Sequence, residues 1–184
     1  ASDVYKRQVK DWGNPVEPII AELETVIGNA EDPVNDMKLI LNKYDYLQAF
    51  PQKVMNEVKI FSQKLIDKEI SNRRDLRKWT SFTIDPVDAK DFDDAISFKK
   101  EGEGNVKIGV HIADVTHYIK PGTALDKEAY KRGTSLYLPD RVVPMLPEKI
   151  SNELCSLNPD EEKKTFSFIF KLTPEGEIKN GRFE

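Results

Sequence analysis

The chain has 184 residues, 39% hydrophobic and 33% charged, enough for one domain or for pieces of two. Its net charge of −4 excludes a surface that is basic throughout, so a polyanionic partner would have to meet a local basic patch together with metal ions. One cysteine, Cys155, excludes an internal disulfide and fits a reducing compartment, and no apolar run approaches the roughly 18 residues of a membrane span.

The first readable element, Pro18 to Gly28, is an apolar-rich run that reads as a β-strand ending at the glycine. Asn35-Asp36 is placed to cap a short helix through Met37, Ile40, Leu41 and Tyr44, an i, i+3, i+4, i+7 stripe. Pro51 to Ile70 carries the clearest helical period. Val54, Val58, Phe61, Leu65 and Ile70 share one face, and Lys53, Glu57, Lys64 and Asp67 the other. Arg73, Arg74, Arg77 and Lys78 then surround a single acid, Asp75. They could hold a phosphodiester backbone, form a solvated helix end, or pair with the aspartates that follow.

Those aspartates are the densest chemistry in the chain. Asp85, Asp88, Asp91, Asp93 and Asp94 lie within ten residues, with Lys90 the one lysine among them. Like charges packed this closely either raise some of their pKa values or recruit a compensating cation. Hard oxygen donors suit magnesium or manganese better than zinc. The plainer reading is a solvated acidic loop. Against it stand the short side chains, the apolar flanks (Phe82 and Ile84 before, Ala95, Ile96 and Phe98 after) and Pro86, which biases Asp85 to an extended backbone. In an extended Asp91-Phe92-Asp93 both acids project to one side. A kink would bring in Asp94, and Asp85 would reach the same point across a turn made by Pro86 to Lys90.

Ala95 to Lys100 and Val106 to Val115 read as a hairpin around Glu101 to Asn105. Alternation puts Val106, Ile108, Val110 and Ile112 on its buried face, and Lys107, Gly109 and His111 on the other. His111 reads as a hydrogen-bonded structural residue, Asp114 as a strand-end cap or turn, and His111, His117 and Cys155 make no zinc spacing. A helix follows over Ala124 to Lys131, with Asp126 in a capping-box variant and Gly133 ending it. Thr134 to Val143 is strand-like, and Pro144 to Pro159 is a proline-punctuated loop with a short helix near Ser151 to Ser156. Thr165 to Leu172 is a strand that Pro174-Glu175-Gly176 turns into a last one.

Several blocks resemble one known family. Thr83-Ile84-Asp85 followed by Asp91-Phe92-Asp93-Asp94-Ala95 is similar to the signature of the ribonuclease II/ribonuclease R exoribonucleases. Gly109-Val110-His111-Ile112-Ala113-Asp114-Val115, Gly133 to Arg141, Pro144 to Glu148, Ser151-Asn152 and Leu154-Cys155-Ser156-Leu157 follow in matching order. The likeness is closest to the bacterial ribonuclease R branch and strongest from about Arg73 to Leu157. It implies an α+β fold: the mixed or antiparallel sheet of a truncated RNB catalytic domain, preceded by the end of an OB-type, cold-shock-like barrel and a connecting helix. The barrel would end within residues 9–30, the helical connector would cover 31–70, and the catalytic domain would begin at 71 and run to 184. Residues 1–8 do not fit and are left uninterpreted, as a scar of sequence assembly would be. The missing initiator methionine and the strand-like opening at Gly181 to Glu184 add to the expectation of a fragment.

The resemblance further implies 3′→5′ hydrolysis of RNA to nucleoside 5′-monophosphates. Asp85, Asp91, Asp93 and Asp94 would be the acidic site, binding Mg²⁺ or alternatively Mn²⁺, while Asp88 is not part of the family's acidic set. Tyr137 would stack against the 3′-terminal base, with a half-buried sheet tyrosine as the competing reading. In the barrel the ring available for stacking is Trp12, for which a buried structural role is the favoured reading. The implied partner is the 3′ end of single-stranded RNA, the implied location cytoplasmic, the complete protein a monomer without a membrane segment, and this piece inactive by itself. The competing class is a non-catalytic RNA- or protein-binding module on the same fold, which would be expected to lose the aspartates.

Overall fold

The computed structural model of the chain describes residues 3–44, 46, 49–61 and 73–184. They fall into two compact units, Ala1–Phe50 with Tyr137–Val143, and Pro51–Leu136 with Pro144–Glu184. No helix among the described residues is long and apolar enough to cross a membrane.

In the first unit β1 (Asp3–Asp11) pairs antiparallel with β2 (Ile20–Asn29). The opening residues, which fit no pattern in the sequence, thus contribute most of a strand, with Asp3 opposite Asn29 and Gln8 opposite Glu22. Their polar composition hid it, because backbone pairing and not an apolar stripe holds the strand. The link between the strands is a polar turn. Asp11 Oδ1 accepts the Gly13 N–H, and Asn14 Oδ1 accepts those of Val16 and Glu17. Gly13 sits at φ 62°, and a Cβ there would lie 2.3 Å from the Glu17 carbonyl oxygen. This turn carries Trp12 outward, 76% exposed, which corrects the expectation of a buried tryptophan.

Helix α1 (Val34–Lys43) forms where the apolar spacing predicts, but its cap differs. Pro33 is the N-cap and makes no side-chain cap bond; Asp32 Oδ1 accepts the Val34 N–H instead. Asn35, expected at the cap, is buried inside the helix and donates from Nδ2 to the Asn29 carbonyl. Of the predicted stripe Leu41 is buried, whereas Ile40 and Tyr44 are exposed.

In the second unit α2 (Gln52–Ile60) buries Val54 and Val58. It ends at Ile60: Phe61 turns extended at φ −71° and ψ 119°, its ring edge-on to Tyr118. Lys64, Leu65, Asp67 and Ile70 lie outside the described residues, as do Ser71 and Asn72. Glu57, placed on the solvent face by periodicity, instead reaches the N-terminus of another helix, α4 (Ala124–Arg132). Its two carboxylate oxygens accept the N–H groups of Ala124 and Leu125 at 2.9 and 2.8 Å. Thr123 takes the next two, Asp126 through its hydroxyl and Lys127 through its carbonyl. The Lys127 bond is the first regular helical one, and with the Thr123 N–H on the Lys120 carbonyl at 3.3 Å the four open donors, Thr123 to Asp126, are all satisfied, with a carboxylate at the positive end of the dipole. Gly133, at φ 75°, ends this helix as predicted.

The sheet of this unit has the order β3-β4-β5-β8-β9. Its strands are β3 (Thr80–Phe82), β4 (Asp94–Lys100), β5 (Val106–Ala113), β8 (Thr165–Leu172) and β9 (Ile178–Phe183). All the neighbouring pairs are antiparallel, so the antiparallel alternative of the expected α+β fold is the one adopted. Between β5 and α4 lies a four-residue helix, α3 (Val115–Tyr118), capped by Asp114. Thr134 to Val143 is not one strand. It folds back at Pro139-Asp140 into β6 (Leu136–Tyr137) and β7 (Val142–Val143), closed by the Leu138 N–H to Arg141 carbonyl bond. The helix expected near Ser151 is a π-helical turn, Lys149–Leu154, with Ile150 fully buried.

The sheet presents the opposite face from the one expected. Gly109, His111 and Ala113 are buried, while Val110 and Ile112 are 36% and 49% exposed. On the inner face His111 bridges three strands. Its Nε2 is 2.6 Å from Ser97 Oγ on β4, and its Nδ1 is 2.7 Å from Ser167 Oγ on β8. A Cβ on Gly109 would sit 2.6 Å from His111 Nε2, so the glycine makes room for the imidazole. The outer face gathers large apolar rings, with Phe166 and Phe183 stacked at 5.6 Å. Strict alternation identifies which residues share a face but is symmetric between the two faces.

Burial lowers the pKa of His111 below its ordinary value, so the folded state holds the neutral imidazole. Between that depressed value and the unfolded value of about 6.5 the unfolded chain binds more protons, so stability falls as pH drops. The stabilisation is complete above about pH 6.5. Urea unfolding at pH 7.5, 6.5 and 5.5 is expected to show this decline, and His111→Gln to flatten it. An equal slope in the variant would assign the decline to other groups.

Candidate active site

The acidic segment is the connection from β3 to β4. Because these strands are antiparallel neighbours, with Phe82 opposite Ile96, the end of one lies beside the start of the other. Asp85 follows three residues after β3, and Asp94 is the first residue of β4, opposite Ile112. The turn expected after Pro86 is present, with the Ala89 N–H donating to the Pro86 carbonyl at 3.0 Å. Of the apolar flanks, Ala95 is buried, but Ile84 is 81% exposed and lies beyond the end of β3. The anchoring on that side therefore comes from β3 itself.

Three backbone contacts hold the loop near its acids. The Phe92 N–H donates to Ser156 Oγ, the Phe92 carbonyl accepts the Leu157 N–H, and the Asp93 carbonyl accepts the Ala113 N–H. Asp93 is the electrostatic centre of the group. Partial loss of water, and then the charges of Asp91, Asp94 and Asp85, push its carboxyl above the usual range. All four aspartates proposed from the sequence therefore fall within electrostatic reach of one point. Asp88 is exposed in the turn and does not enter this coupling.

Among the described residues no three His, Cys, Asp or Glu side chains are gathered closely enough to hold a metal ion. Four carboxylates of one sign repel, and these four are not drawn together into one cluster. Their chemistry nevertheless fits Mg²⁺ or Mn²⁺: hard oxygens, an excess of negative charge, and one carboxyl already disfavoured as an anion. Mg²⁺ keeps several of its waters, so it needs only one or two of these carboxylates as direct ligands.

Among the described residues the three arginines before β3 pair with other acids. Arg73 Nη2 meets Asp114 Oδ2 at 2.5 Å, Arg74 pairs with Glu184, and Arg77 with both Asp75 and Glu162. Burial works against the charge of Asp114, but the Arg73 guanidinium, the Thr116 hydroxyl and the His117 N–H outweigh it and hold the carboxyl below its ordinary value. Tyr137 stands in the other unit, in β6, with its residue 65% exposed and its strand paired to β7. Cys155 is buried, its thiol pushed up to about 12, first by burial. The contact of Ser156 with the loop is long-range, and no local pattern in the sequence reveals it.

The antiparallel sheet thus carries, in its first connection, four aspartates of which three act on the carboxyl of the fourth, a candidate acidic centre. The RNB domain model matches residues 73–184, and the chain belongs to the RNB domain family. Ribonuclease R 1 of Lactococcus lactis subsp. lactis is 43% identical over 171 residues, which are 93% of this chain and 21% of that protein. Mycoplasma genitalium RNase R in complex with ribose-methylated single-stranded RNA superposes with a TM-score of 0.84 at 31% identity, over 96% of this chain and 28% of that one. Yeast Ssd1, a pseudonuclease, superposes with a TM-score of 0.72 at 24% identity, over 99% of this chain and 23% of that one, a likeness of fold alone. The chain thus spans about a fifth of the curated relative's length.

Proposed function

We propose that this chain is part of a 3′→5′ exoribonuclease that hydrolyses RNA to nucleoside 5′-monophosphates with Mg²⁺, or Mn²⁺ in its place. The observation that carries the reading is the coupling of Asp93 to Asp85, Asp91 and Asp94 at one end of two paired strands. The fold does not decide the matter, because a pseudonuclease shares it. The reading is supported by the four aspartates kept in the connection between β3 and β4, since acids gathered beside a polyanion such as RNA need a compensating cation.

Asp85, Asp91, Asp93 and Asp94 would hold the ions, directly or through retained waters. A bound divalent ion supplies charge stabilisation at the phosphoryl group and eases deprotonation of the attacking water. The chain's own part is to anchor the carboxylates through the strand ends, and a bound cation would favour the ionised form of Asp93 that the chain alone disfavours. Tyr137, open to solvent, offers its face to the 3′-terminal base. The partner is then the 3′ end of single-stranded RNA, and the complete protein is a cytoplasmic monomer.

The test is to incubate the intact protein with a 5′-labelled single-stranded RNA and Mg²⁺. Stepwise shortening from the 3′ end, with 5′-mononucleotides as product, is expected, and internal cleavage or no cleavage would remove the proposal. Residues 1–184 alone are expected to show little activity, and processive degradation by them would contradict that part.

A further inference from the structure

We propose that Ser156 is a positioning residue for the acidic loop, clamping Lys90 to Phe92 so that Asp91 and Asp93 are held on either side of a fixed peptide; this rests on the ion-binding reading of those aspartates. Ser156 is 0% exposed and lies just past the π-helical turn, next to buried Leu154 and Cys155, so its own base is rigid. Its Oγ accepts the Phe92 N–H at 3.0 Å and lies 3.2 Å from the Lys90 carbonyl oxygen and 3.0 Å from Asn158 Oδ1. A hydroxyl has one proton to donate and two lone pairs, so the proton is shared between these two oxygens while a lone pair holds Phe92. The next residue, Leu157, donates its N–H to the Phe92 carbonyl at 2.9 Å. Both backbone groups of Phe92 are thus taken by two consecutive residues far along the chain.

Asn158 supports the clamp from behind, donating from Nδ2 to the Asn152 carbonyl at 3.2 Å. On the other side the Asp93 carbonyl is tied to the Ala113 N–H. The peptide carrying Asp91, Phe92 and Asp93 is therefore fixed at both ends by groups that are not acidic. This matters because the four carboxylates repel one another, and side-chain rotation alone would let a slack loop carry them apart. A fixed backbone leaves only the short aspartate side chains to move when an ion arrives, which keeps the ordering cost of binding low. Loss of a group that orients ligands from outside the coordination shell typically weakens metal affinity about 10–100-fold.

In the intact protein Ser156→Ala is expected to weaken Mn²⁺ binding, followed by electron paramagnetic resonance, by roughly 10-fold. Affinity for single-stranded RNA without metal should stay within about twofold, since the contact is to the loop backbone. Ser151→Ala serves as control, because that hydroxyl donates to Asn152 Oδ1 and not to the loop. A lowered melting temperature with unchanged Mn²⁺ affinity would make Ser156 a mere packing residue and overturn the proposal. Asp93→Asn measured alongside separates the two readings. If it binds Mn²⁺ as the parent does, the ion site itself fails; if it loses Mn²⁺ and Ser156→Ala does not, only the clamp fails. Hydrogen exchange on the unmutated chain needs no variant to fold. Slow exchange of the Phe92 and Leu157 amides without metal supports the clamp, and exchange at the rate of an open peptide overturns it.

Discussion

Asp93→Asn in the intact protein is expected to lower RNA turnover on the order of 10³-fold, about 4 kcal/mol of barrier, while RNA binding changes little. The substitution keeps the shape of the side chain and removes one charge from the group that Asp85, Asp91 and Asp94 complete. It should also separate two effects on stability. Without metal the folded chain carries a carboxylate that partial burial and three like charges disfavour. The amide has no such cost, so the metal-free variant should melt no lower than the parent. The parent should gain stability from Mg²⁺, about 2.7 kcal/mol at a hundred times the dissociation constant, and the variant should lose that gain. Unchanged turnover would remove Asp93 from the site. A variant that melts lower without metal would show that the carboxylate is structurally required instead.

Glu128→Ala is expected to lower folding stability by about 3–5 kcal/mol. Glu128 and Arg132 stand one turn apart on α4, only 8% and 9% exposed, with Arg132 Nε 2.9 Å from Glu128 Oε1. The same guanidinium donates to the Pro144 carbonyl at 3.2 Å, tying the helix to the start of the proline-punctuated loop. Removing the acid leaves a buried guanidinium without this carboxylate, and desolvation that the pair had offset is then uncompensated. For a chain of this size the loss corresponds to a fall of roughly 6–20 °C in melting temperature. Glu128→Leu with Arg132→Met should cost much less, because neither charge remains to be buried. A shift below about 1 kcal/mol for the single variant would mean the pair behaves as a solvated one.

The two substitutions bracket what is legible in the amino-acid sequence. The four aspartates are legible because the proposed hard-cation site demands a residue type and a spacing, and both are local. The Glu128–Arg132 spacing was equally local, yet nothing in it distinguished a buried pair from the many solvated ones at the same separation. Trp12 was misread for a related reason. An aromatic ring is buried only if enough structure surrounds it, and a polar turn between two strands does not supply that.

Local chemistry in the sequence determined the strands β4, β5 and β8, the capped helix α4, the turn after Pro86 and the acid-rich connection between β3 and β4. Each follows from propensity, periodicity or turn residues within a dozen positions. The tertiary structure alone decided which face of the sheet is buried, that Glu57 serves α4 rather than solvent, that the arginines before β3 are taken by other acids, and that Ser156 reaches Phe92. These depend on which distant groups meet, and a pattern of period 2 or 3.6 carries no information about its partner.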